Sequence, residues 1–159
     1  MRRIFFMLSI IILVTGCSQM MNTPVKQVEK LLYKYQSYDK QIEEQLNSNI
    51  VEFGFNSEEG TAYLKAMKRQ YSNITYEVKE DEIDGNVALV EVEIKVYDFA
   101  KVLEDTTKDL DITKLNKMID TKEKKTYQIT FYLTRVDEVW SIDGLNDEIK
   151  EKLQGLYLN

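Results

Sequence analysis

The sequence predicts an α+β fold in which N-terminal helices pack on a curved antiparallel sheet and a C-terminal helix closes the domain. Three observations carry this expectation. Apolar residues recur at helical spacing from Val25 to Tyr71. From Ile74 to Leu133 they alternate with polar residues at period two, as in strands with one dry face and one wet face. Helical spacing then returns over Leu145, Ile149, Leu153 and Leu156. Helices followed by strands, without strict alternation of the two, point to α+β organisation.

The first segment precedes the domain. Arg2 and Arg3 open an apolar run of 11 residues, Ile4 to Val14, interrupted only by Ser9. A bilayer core needs roughly 20 apolar residues, so the run is short for a span. Two arginines, a short apolar block and small residues match the regions of a cleavable secretory signal. The one cysteine of the chain follows at once. Val14-Thr15-Gly16-Cys17 resembles the lipobox of bacterial lipoproteins, whose thiol is acylated before cleavage between Gly16 and Cys17. The expected organisation is a signal peptide over 1–16, a lipidated cysteine and tether over 17–23, and one α+β domain over 24–159. The six residues Ser18 to Thr23 reach about 20 Å when extended, which keeps the domain near the membrane. The resulting localisation is the cell membrane, lipid-anchored, on the extracytoplasmic side.

Thr23-Pro24 reads as a helix start, with threonine as cap and proline in the first turn. Val25, Val28, Leu32, Tyr35, Ile42 and Leu46 form one stripe of a long amphipathic helix. Asn56 with Glu59 has the spacing of a capping box and opens a second helix with apolar face Tyr63, Leu64, Met67 and Tyr71. Ile74, Tyr76 and Val78 begin a strand, and Asp84-Gly85 marks a hairpin turn. Over Val87 to Phe99, Ala88, Val90, Val92, Ile94 and Val96 face inward, with Glu91, Glu93 and Lys95 opposite. Residues 100–124 read as a long, partly helical crossover, with Ile112, Leu115 and Ile119 on one short helix. Tyr127, Ile129, Phe131 and Leu133 restore the strand pattern, and Asp137-Glu138 turns it into Val139–Asp143. Trp140 is expected to close the domain against the first helix. The final helix ends near Gly155.

Composition narrows the chemistry. The chain has no histidine, which excludes histidine acid–base catalysis, histidine-based triads and the commonest zinc sets. Removing residues 1–16 takes two arginines away and moves the formal net charge from −6 to −8. An acidic chain without a basic cluster argues against nucleic acid as a partner. The stretch Glu80 to Gly85 only loosely approaches a calcium loop, and no metal or other cofactor is expected. Among the 10 tyrosines, Tyr33 and Tyr38 fall off the stripe of the first helix. They are candidate exposed contacts for a partner. Asp98 continues the inward phase of its strand and lies near Tyr127 if the two strands are antiparallel neighbours. Both then mark strand ends at the rim.

Two N-terminal helices, a hairpin and a closing pair ending in Trp140-Ser141-Ile142-Asp143-Gly144 resemble the nuclear transport factor 2-like, or cystatin-like cone, proteins. Within that group the chain is most similar to uncharacterised lipoproteins of Gram-positive bacteria. The stretches Gln70–Lys79, Val92–Asp98, Lys125–Phe131 and Gly155–Tyr157 carry the resemblance. It implies a cone-shaped sheet and, through an exposed sheet face, a homodimer as one further partner. It implies two function classes. One is a non-catalytic module that binds a protein, a peptide or an apolar small molecule. The other is an enzyme of the ketosteroid isomerase type, in which Asp98 and Tyr127 would be the carboxylate base and phenol donor of an apolar pocket. The absence of histidine, free thiol and phosphate loop favours the binding module.

Overall fold

The structure, a computed structural model, describes residues 22–104 and 110–158. The signal-like segment, Gly16 and Cys17 lie outside the described residues. Three helices open the described residues: α1 (Pro24–Gln36), α2 (Lys40–Glu52) and α3 (Ser57–Ser72). Thr23 caps α1 by accepting from the Lys26 N–H at 3.2 Å, with Pro24 in the first turn. The capping box of α3 forms as its spacing predicts, from Asn56 and Glu59.

The long first helix is corrected to two. After Tyr35 the chain turns left-handed at Tyr38, with φ 53°. Asp39 then accepts from the Gln41 and Ile42 N–H groups and starts α2. The apolar stripe crosses this break in phase, because Tyr35 and Ile42 are seven residues apart, two helical turns. Hydrophobic spacing alone reads straight through it.

The sheet is an antiparallel meander in the order β1 (Thr75–Asp84), β2 (Val87–Tyr97), β3 (Lys124–Val136) and β4 (Val139–Ile142). On β2 the residues Ala88, Val90, Val92, Ile94 and Val96 are all buried, opposite Leu133, Phe131, Ile129, Tyr127 and Lys125 of β3. A bulge between Val78 and Glu80 shifts the alternation of β1 by one, so that Ile83 rather than Glu82 pairs with inward-facing Ala88. Such a bulge also bends the strand. Between β2 and β3 run α4 (Phe99–Glu104) and α5 (Ile112–Asp120), the helical crossover. Finally α6 (Asp147–Gln154), capped by Asn146, returns to the sheet. The fold is α+β: helices, a four-stranded antiparallel sheet and a C-terminal helix.

The core forms between the inner sheet face and the helices, around Leu32, Met67, Phe99, Leu115, Phe131 and Leu153. Trp140 is 5% exposed, with its backbone N–H donating to the Asn22 side-chain oxygen and the Arg135 guanidinium 5.2 Å from its ring. It borders α1, as expected.

One polar residue is buried inside this core. Gln70 of α3 has no exposed surface. Its amide nitrogen donates to the carbonyls of Tyr97 and Gln154, at 2.8 and 2.7 Å, and its amide oxygen accepts from the Tyr97 N–H at 2.8 Å. Gly155, left-handed at φ 70°, ends α6 beside it, and its carbonyl accepts from the Ala100 N–H at 2.7 Å. A Cβ on Gly155 would collide with the Tyr97 carbonyl and the Gln70 amide.

Gly85 provides the internal control. It has a similar φ of 59°, but a Cβ there meets nothing within 4 Å. Gly85→Ala should therefore cost only the left-handed strain, about 1–2 kcal/mol. Gly155→Ala adds displacement of a buried amide and should cost a further ~1–3 kcal/mol for the groups it leaves unpaired. Chemical denaturation of the two variants side by side checks this; equal losses would show that Gln70 is not the constraint.

Candidate functional site

The antiparallel pairing of β2 with β3 brings Asp98 and Tyr127 to the same end of the sheet, as their phases predict. Tyr127 stands opposite Ile94 and is buried. Its hydroxyl donates to the Tyr157 carbonyl at 2.9 Å, and the two rings meet edge to face at 5.9 Å. Asp98 lies one residue beyond β2. Its N–H donates to the Glu123 carbonyl at 3.0 Å, and its carboxylate accepts from the Lys101 N–H at 3.1 Å, in the manner of a cap on α4. The phenol proton and the carboxylate are thus both engaged in structural hydrogen bonds.

The same corner holds two residues that motif reading passed over. Arg69 lays its guanidinium 3.5 Å from the Tyr97 ring centroid and donates to the carbonyls of Met118 and Thr121 at the end of α5. A cation there complements the helix dipole as well as the unpaired carbonyls. Gln70 follows it in sequence and holds β2 and α6. Gln70 was findable, since it lies three residues after Met67 and seven after Tyr63, on the apolar stripe of α3.

The two tyrosines proposed as contacts separate. Tyr33 on α1 is 65% exposed. Tyr38 is corrected: it is half-buried, packs against the core and lies under the Lys68 ammonium at 5.4 Å. It sits at the left-handed break between α1 and α2, three residues after buried Tyr35 and four before buried Ile42.

Several clefts open on the surface, two of them against the opening helices. One of about 550 Å³ runs between α3 and α5, with Ala62, Ile112 and Ile119 as its apolar floor and Glu58, Lys65 and Asn116 among its rim. Its floor exists because Ala62 is small where α3 faces α5. The second, about 320 Å³, lies between α1 and β4, beside Lys30, Lys34 and Trp140. Ser57 and Thr61 also line the first cleft, and Ser141 the second. Among the described residues no cluster of three or more acidic, histidine or cysteine side chains is spaced to hold a metal ion.

Residues 1–18 match the prokaryotic membrane lipoprotein lipid attachment site. The chain is therefore a membrane lipoprotein, held to the bilayer by acyl chains. Among the described residues no helix is long and apolar enough to cross a membrane. No curated protein and no solved structure matches the chain.

Burial leaves a titration signature. It pushes the phenols of Tyr35 and Tyr127 up to about 12, with Asp39 and Asp98 respectively adding to the effect. Tyr71 moves up further still, again through burial first. The native state keeps these protons between pH about 10 and 12, where unfolded tyrosine loses them. Their contribution is complete below pH 10 and is lost as pH rises through 12. The melting temperature should fall across that window, with part of the phenolate absorbance appearing only on unfolding. Tyr127→Phe should make the fall shallower, and a slope unchanged from wild type would contradict its burial.

Proposed function

We propose that the protein is an extracytoplasmic lipoprotein acylated at Cys17, whose domain, of the nuclear transport factor 2-like cone type, binds a partner without transforming it. The observation that carries the binding reading is the α3–α5 cleft, an apolar floor with a polar rim, the usual character of a small-molecule or side-chain site. The engagement of Asp98 with α4 and of Tyr127 with Tyr157 supports binding over catalysis. The order of helices, curved meander and closing helix supports the cone assignment.

The anchor has a direct test. Cys17→Ser should block acylation and cleavage before residue 17, so that the precursor stays larger or the protein enters the medium. A variant of unchanged size and unchanged membrane association would refute Cys17 as the anchor. Protease digestion of intact cells reports the side of the membrane, and protection of the domain would place it inside.

The cleft has its own test. In a thermal-shift screen of apolar small molecules and peptides, binders should raise the melting temperature of the wild type. Ala62→Phe, which fills the floor, should abolish that shift and retain the fold. A binder recovered chemically altered after incubation would overturn the non-catalytic reading.

A further inference from the structure

On its outer face the sheet is polar along most of its length, through Glu91, Glu93, Lys95, Thr126, Gln128 and Thr130. At the end that carries the two turns this pattern fails. Val87, Tyr132, Val136 and Val139 are each more than half exposed there. They form one patch. Val136 pairs with Val139 across the β3–β4 turn, Tyr132 pairs with half-buried Leu89, and Val87 stands opposite Thr134 beside them. Four exposed apolar side chains on an otherwise charged sheet face mark a contact surface.

The chain itself indicates what covers it. Asn22, the first described residue, is fixed to this end of the sheet. Its side-chain oxygen accepts from the Trp140 N–H at 3.3 Å and from Gln27 at 3.1 Å, while its amide donates to the Glu138 carbonyl. Val139 lies between Glu138 of the turn and Trp140 of β4. Only four residues lie between Cys17 and Asn22, so the five Cα–Cα steps span at most about 18 Å when extended. Acyl chains on Cys17 therefore bring the β3–β4 turn to the bilayer surface and keep it there. Among the described residues no comparable tie joins Asn22 to Val51 and Phe53, exposed at the end of α2.

We propose that the turn end of the sheet docks on the lipid surface, with Val87, Tyr132, Val136 and Val139 in the interfacial zone of the bilayer. This rests on acylation of Cys17. Tyr132 suits that zone, since an aromatic ring with a polar tip sits at the headgroup level. Depth is limited by charge. Asp84, Asp137 and Glu138 flank the patch on the two turns, so the contact is shallow and favours neutral headgroups over anionic ones. The acyl chains supply the affinity, and the patch sets the orientation of the domain.

The experiment uses the full-length lipidated protein in vesicles of phosphatidylcholine. With Cys17 acylated, Tyr132→Cys, Val136→Cys or Val139→Cys supplies a single free thiol for an environment-sensitive fluorophore. Glu58→Cys and Val51→Cys serve as controls on the helical side. Labels at 132, 136 and 139 should be blue-shifted and quenched several-fold more by a lipid-borne spin label than the label at 58. Replacing part of the neutral lipid by phosphatidylglycerol should weaken that quenching. Equal access of an aqueous quencher to all positions would overturn the proposal, as would lipid contact at 51 with 136 and 139 exposed. Shielding that grows with protein density but shows no lipid quenching would also overturn it, in favour of a second copy on the same face. If the wild-type Cys17 thiol itself reacts with the label, the anchor fails first and the docking proposal with it.

Discussion

The Gln70 amide sits where α3, the end of β2 and the last turn of α6 converge, and it satisfies backbone groups that those elements leave unpaired among themselves. The sheet ladder ends at Tyr97, and the last carbonyls of a helix have no partner within it. Buried backbone groups without partners cost about 1–3 kcal/mol each, so three such groups at one point would offset much of a small domain's stability. One glutamine with a donor and an acceptor on the same planar head meets all of them. Gly155 is required by the same geometry, since the amide occupies the space a side chain would need. Arg69, next in the chain, extends the arrangement to α5. Two consecutive residues of one helix thus hold the crossover, the sheet and the C-terminal helix.

This constraint explains which parts of the fold were legible in the sequence. Inner strand residues announce themselves because period-two alternation reports burial directly, and Ala88 to Val96 and Tyr127 to Leu133 all face the core as their phase requires. The capping box at Asn56 and the turn at Asp137-Glu138 are local, so they too can be read from a few residues. The break at Tyr38 was not legible, because two helices whose stripes continue in phase look like one. The marks were there in Asp39, a good cap, and in the interval from Tyr35 to Ile42, which lacks any apolar residue on the stripe. Gln70 carries no motif at all. Its role follows from which carbonyls end up beside it, and that is decided by residues 27 and 84 positions away.

Candidate site residues show the same division. Register places Asp98 near Tyr127, and register is readable once two strands are taken as neighbours. What each side chain does there depends on α4 beginning immediately after Asp98 and on Tyr157 reaching back over Tyr127. Neither contact has a sequence period. The α3–α5 cleft is less visible still, because it depends on how closely one small residue, Ala62, lets a helix from the crossover approach. The apolar end of the outer sheet face, by contrast, was written in the chain as Val136 and Val139 at positions where Glu91 and Glu93 had set a polar phase.

The β3–β4 turn is tied to Asn22, the first described residue. Asp137 and Glu138 both adopt left-handed backbone, at φ 49° and 64°, in a two-residue loop of the kind that asparagine and glycine normally supply. An aspartate is tolerated there better than a glutamate, and each costs some free energy relative to glycine. The structure holds this strained turn from both sides. Arg135 reaches across to the Gly85 carbonyl and to Asn86 of the neighbouring turn, and Asn22 bonds the Glu138 carbonyl. Asn22 also bonds Trp140, whose ring is buried against α1. A lipoprotein domain held only by a flexible linker would sample all orientations within the linker's reach. Here Asn22, the first described residue, bonds the Glu138 carbonyl and the Trp140 backbone N–H, so the start of the domain is fixed to the sheet.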